Sequence, residues 1–80
     1  MGIKNAVIQR LQELCTQKNI TANALANMAG VTPSTIYSIL HPERKDVGIV
    51  AIKKLCDGLE ISLEEFFGGE VFCVLEQEIV

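Results

Sequence analysis

Apolar residues recur at a spacing of three to four through most of this chain, and the interruptions fall at residue types that end or open helices. Val7, Ile8, Leu11, Leu14 and Cys15 form one stripe, followed by Asn19 and Ile20, the pair expected of a left-handed C-terminal cap and its hydrophobic contact. Thr21 then stands where a hydroxyl can accept from a free N–H one turn into a second helix. Leu25, Ala26 and Ala29 share the inner face of that helix, and its two alanines let another helix approach closely. Gly30 suits the turn that follows, because a residue with a Cβ adopts positive φ at a cost of ~1 kcal/mol or more. Val31 turns inward, Thr32 caps a third helix, and Pro33 occupies its first turn, where the missing N–H is not needed. Ile36, Ile39 and Leu40 bury one side of this helix, leaving Ser34, Thr35, Tyr37 and Ser38 outward.

Beyond it, HPERKDVG at 41–48 lacks periodicity and reads as a loop. Ile49, Ile52, Leu55, Cys56 and Leu59 restore the helical spacing in a fourth helix, with Lys53 and Lys54 on its other faces. Ser62 and Glu65 make the S-x-x-E pattern that opens a short fifth helix, closed by Gly68 and Gly69. In the remaining tail, the run from Val71 to Leu75 is β-prone and bounded by glycines, which favours a strand. A lone strand leaves its backbone groups unpaired, so the expectation is pairing with a second copy across a twofold axis. The alternative folds the tail back on its own domain as an added edge.

A short amphipathic helix, a glycine turn and a second helix with a small, polar outer face are the build of a helix-turn-helix. The sequence here resembles the helix-turn-helix regulators of the phage Cro and lambda repressor type, the XRE family. Leu25, Ala26, Ala29, Gly30, Val31, Ile36 and Ile39 fall on the motif positions, and SLEEFF resembles the family's final helix. The likeness extends over residues 3 to 68. It implies an all-α fold, a five-helix lambda-repressor-like DNA-binding domain over 1–69, with a C-terminal extension over 70–80 as a dimerisation segment. Two positions depart in the reading surface. Ala22 stands where the family usually has a DNA-contacting glutamine, and the outer face of the third helix has no Arg, Lys, Asn or Gln for bidentate base contacts. A third departure, Glu60 in place of a glycine, either changes the cap or holds a non-glycine residue left-handed.

The net charge of −3 runs against DNA binding until it is divided along the chain. Residues 1–54 hold all seven basic side chains against three acidic ones, leaving +4, whereas 55–80 hold seven acidic and no basic side chains, −7. A basic front can contact phosphates while an acidic back disfavours misoriented approach, which implies modest, salt-dependent affinity.

At 80 residues the chain has room for one domain with a small aliphatic core. No apolar run reaches the ~20 residues of a membrane span and no signal-peptide pattern opens the chain, so a soluble, cytoplasmic protein is expected. Three cysteines at 15, 56 and 73, without CxxC spacing, suit a reducing compartment rather than a zinc site, and Cys15 and Cys56, on apolar helix faces, read as small buried hydrophobes. A single histidine, serines without a paired base and no glycine-rich phosphate loop give no support for an enzyme or for a cofactor.

The expectation is thus a sequence-specific DNA-binding regulator, a repressor acting as a homodimer on double-stranded DNA. Thr21 and Thr32 would meet phosphates at helix amino ends, Ser34, Thr35, Tyr37 and Ser38 the major groove, and Arg44 and Lys45 the backbone. The other reading is a protein-interaction module or antitoxin-like partner with weak or no DNA binding.

Overall fold

Helix ends organise the chain. In the computed structural model, which describes residues 1–44 and 46–79, α1 runs over Ile3–Lys18, α2 over Ala22–Ala29, α3 over Pro33–Leu40, α4 over Ile49–Leu59 and α5 over Leu63–Phe67, and a single 3-10 turn covers Glu70–Cys73. α1, α2 and α4 stop at left-handed residues: Asn19 at φ 56°, Gly30 at φ 70° and Glu60 at φ 59°. At each stop the next N–H turns back on the last turn, Ile20 to Cys15 O, Val31 to Ala26 O and Ile61 to Cys56 O, all at 3.0 Å. Carbonyls that the helix leaves without partners are satisfied in this way. Thr21, Thr32 and Ser62 close the opposite ends, accepting from the N–H of Ala24 at 3.1 Å, Thr35 at 3.3 Å and Glu65 at 3.0 Å. Glu60 therefore keeps the family's left-handed cap without the glycine, at a strain of about 1 kcal/mol.

One core joins the helices: Val7, Leu11 and Leu14 of α1, Leu25 and Ala26 of α2, Ile36 and Ile39 of α3, Ile52, Leu55, Cys56 and Leu59 of α4, and Phe66 of α5. α2 sits between α3 and α4 and packs most extensively on α4. Gly58 explains how closely: a Cβ there would lie 2.9 Å from Ala29 N and 3.0 Å from Met28 C, so backbone meets backbone. Burial raises the thiol pKa of Cys56 within this core, with Asp57 adding to the rise and Lys53 opposing it. Ile49 departs from the expected stripe. It is 64% exposed, as the first residue of α4, and the buried face begins one turn later at Ile52.

α5 has only five residues and is held from outside. Arg10, buried in α1, donates from Nε to Phe66 O and from Nη2 to Glu65 O, both at 2.8 Å, and pairs with Glu13 through Nη1. The guanidinium thus neutralises the carbonyl end of α5. Gly69 makes room for it, since a Cβ there would approach Arg10 Cδ to 2.9 Å.

The tail is not a strand. Val71 and Phe72, neighbours in sequence, are both partly covered while Cys73 and Val74 are exposed, a pattern that alternation across a strand does not produce. Phe72 supplies the reason: its ring lies 5.9 Å from Phe66 and 5.0 Å from Phe67, and the 3-10 turn, closed by Phe72 N–H to Gly69 O at 3.1 Å, places it there. The chain then returns to its own amino terminus, where Glu76 N–H donates to Met1 O at 3.0 Å and the Met1 ammonium lies 3.3 Å from Glu76 Oε1. Gly2 has no side chain to cap α1, and Glu78 Oε2 accepts from Ile3 N–H at 3.3 Å in its place.

Two substitutions test these constraints by urea denaturation. Gly58→Ala should lower stability by about 1–3 kcal/mol despite its better helix propensity, because neither backbone can yield. Glu60→Gly should raise stability by about 1 kcal/mol by removing the left-handed strain; an unchanged midpoint would show that the strain is relieved elsewhere.

Candidate nucleic-acid interface

α3 is fixed at its start and open along its outer side. Thr32 caps it, Pro33 fills its first position, and Thr32 Oγ1 lies 3.1 Å from Thr35 Oγ1, so one threonine orients the other. Ile36 and Ile39 are buried beneath. On the outer side Ser34 is exposed, Thr35 and Ser38 are half-buried, and Tyr37 is 60% exposed. Ser34, Thr35 and Ser38 come together along an open groove of about 280 Å³ whose other wall is Asp46, Val47, Gly48 and Ala51. Thr21 is exposed at the start of α2, in its capping role. Arg44 is exposed in the loop, its N–H donating to His41 O at 3.1 Å. Lys45 lies outside the described residues.

Ala22, which has no group to offer a base or phosphate, serves packing. It is half-buried and lines an apolar cleft of about 310 Å³ with Leu11, Cys15, Leu25, Ile36 and Leu40. Burial of Cys15 beside this cleft raises its thiol pKa.

Two of the cations counted in the basic front are inside the protein. Arg10 holds α5, and Lys4, only 6% exposed, donates from Nζ to Ser38 O at 3.2 Å. Their positions carried a signal. Lys4 extends the Val7–Leu11–Leu14 stripe by one turn, and Arg10 lies four residues from both Ala6 and Leu14 on the same buried side. Lys53 pairs with Asp57. The acidic segment is also less remote than the linear charge split suggests, because Glu76 and Glu78 return to the start of α1, beside Lys4 in the chain. Asp46, on the groove wall, is a further residue that spacing alone did not mark.

Residues 10–70 match the model of the Cro/C1-type HTH DNA-binding domain. This chain belongs to that family. The Cro/C1-type domain is also similar to a solved structure described as "Crystal structure of the prophage Lp1 protein 11", with a TM-score of 0.82 and 33% identity over 94% of this chain and 100% of that one. Comparison with curated proteins gives no match. The five-helix, all-α architecture and the helix-turn-helix of α2 and α3 thus belong to a DNA-binding regulator domain. No helix among the described residues is long and apolar enough to cross a membrane.

Within this Cro/C1-type domain, exposure separates side chains that are free at the surface from those that hold the fold. Tyr37→Ala should leave the urea midpoint within about 0.5 kcal/mol of wild type, whereas Thr32→Ala should cost about 1 kcal/mol through the lost cap. A Tyr37→Ala loss as large as that of Thr32→Ala would mean that the ring supports the fold.

Proposed function

We propose that this domain is a transcriptional repressor that acts by occupying a promoter, with α3 in the major groove. The observation that carries the reading is the outward hydroxyl face of α3, held by a capped start and a buried back. Thr21 and Thr32, at helix amino ends, meet phosphates with hydroxyls and free N–H groups and set the register. Ser34, Thr35 and Ser38 bond base edges, and the Tyr37 ring or the Thr35 methyl touches thymine methyls. Short groups of this kind leave much of the selectivity to bridging water and DNA shape. Arg44 and Lys45 add phosphate contacts from the loop. No catalytic step belongs to this reading.

The acting species is a twofold dimer that reads two half-sites about 34 Å apart. Residues 70–80 are its dimerisation segment, through side chains rather than a shared strand: Val74 and Ile79, 71% and 88% exposed, are apolar side chains that the tail leaves uncovered. The competing reading, a protein-interaction module, draws on the carboxylate of Asp46 beside the reading face.

Fluorescence anisotropy against the DNA upstream of the chain's own gene and a scrambled duplex, over a range of salt, tests the proposal. Tight binding to the first alone is expected. The double variant Arg44→Ala, Lys45→Ala should reduce the salt slope by about 2, roughly one for each phosphate contact removed. Equal weak binding to both duplexes would favour the interaction module. In sedimentation, Val74→Asp with Ile79→Asp should shift a dimer to monomer.

A further inference from the structure

α3 ends unlike α1, α2 and α4. Its cap residue, His41, is extended at φ −86°, ψ 113°, and returns its N–H to Ser38 O at 3.3 Å without the left-handed turn that closes the other three. A second donor reaches the same carbonyl from elsewhere in the fold, the Lys4 ammonium at 3.2 Å. We propose that Lys4 is a positioning residue for DNA reading, a cap supplied by α1 that fixes the last turn of α3, and Ser38 with it, against the body of the domain.

Three further observations agree. Lys4 is 6% exposed, so its ammonium is held in place and is not a solvated surface charge. It lies at the negative end of the α3 dipole, where a cation is favoured. Burial lowers its pKa, with repulsion from Arg44 in the same direction and attraction to Asp46 against it, which puts both loop charges within electrostatic reach. Lys4 thereby joins the first turn of α1 to the last turn of α3. A phosphate-binding lysine would project its ammonium into solvent; this one is directed at a carbonyl of its own protein.

The inference rests on α3 being the reading helix, and its test separates the two claims. The probes are a duplex recovered from a random pool by the wild-type protein and a scrambled duplex, titrated over a range of salt with wild type, Lys4→Met and Lys4→Arg. Hydrogen exchange at the amides of Ile39, Leu40 and His41 is measured on the free proteins, and Lys4→Gln replaces Lys4→Met if the latter does not fold. Lys4→Met should reduce the preference for the selected duplex roughly tenfold, the equivalent of about one good base contact, with faster exchange in the last turn of α3 and an unchanged salt slope. Lys4→Arg should restore most of the preference. A salt slope smaller by about 1, with both duplexes weakened equally, would overturn the inference by making Lys4 a phosphate contact. A lower melting temperature with the preference intact would overturn it by making the role structural only. A wild type that selects no duplex overturns the reading of α3, and this inference with it, whereas a selective wild type with an unaltered Lys4→Met overturns Lys4 alone.

Discussion

The contact between the end of α2 and the last turns of α4 is the constraint on which the motif depends. Where Gly58 faces Ala29 and Met28, main chain meets main chain with no side chain to absorb a change. Ala29 is the last residue of α2, and Gly30 follows it as the turn into α3. The position of α4 therefore fixes the place from which α3 departs, and the burial of Ile36 and Ile39 fixes its roll. Tight packing transmits such constraints because the interior has little free volume to accommodate a shift. With eight residues α3 is too short to be stable alone, and it acquires its orientation from this framework rather than from its own propensity.

Cations then secure the ends that packing leaves open. Arg10 satisfies the carbonyl end of α5 and Lys4 that of α3, both from α1, so the longest helix acts as a brace for the two that lack left-handed caps. The tail completes the brace at its own start, with Glu78 in the capping role that Gly2 cannot fill. Exposed contacts such as Met1 with Glu76 are worth about 0–1 kcal/mol, so the tail is held chiefly by Phe72 in the aromatic cluster.

Most of the framework was legible because it depends on local rules. Thr21, Gly30, Thr32 with Pro33, and Ser62 announce their caps within three or four residues, and the apolar stripes announce the core. Asn19 and Ile20 did the same for the end of α1. What spacing could not show are contacts between residues far apart in sequence. A β-prone run at 71–75 satisfies strand propensity, yet Phe72 is captured by Phe66 and Phe67, and that tertiary contact decides the backbone. Lys4 and Arg10 look like surface charges in a count and become internal braces once α3 and α5 are in place. On α3, the hydroxyl face followed from periodicity, but the groove that Asp46 shares with Ser34, Thr35 and Ser38 arises from where residues 46–48 and Ala51 come to lie, which no local pattern encodes.

The charge distribution carries a consequence for how such a domain would read DNA. Among the described residues, Lys4 and Arg10 are engaged inside and Lys53 is paired, while the carboxylate of Asp46 lines the groove beside Ser34, Thr35 and Ser38 and those of Glu76 and Glu78 return to the start of α1. Counterion release, the main source of non-specific affinity, scales with the phosphates neutralised. If α3 reads the groove as proposed, a domain so arranged would bind random DNA weakly, and its selectivity would rest on how closely the short side chains of α3 fit the groove. Small hydroxyl groups allow a close approach and make short-range bonds that tolerate little displacement. The accuracy with which α3 is held thus matters more here than it would for a face of long arginines, whose flexible stems can compensate for a misplaced helix.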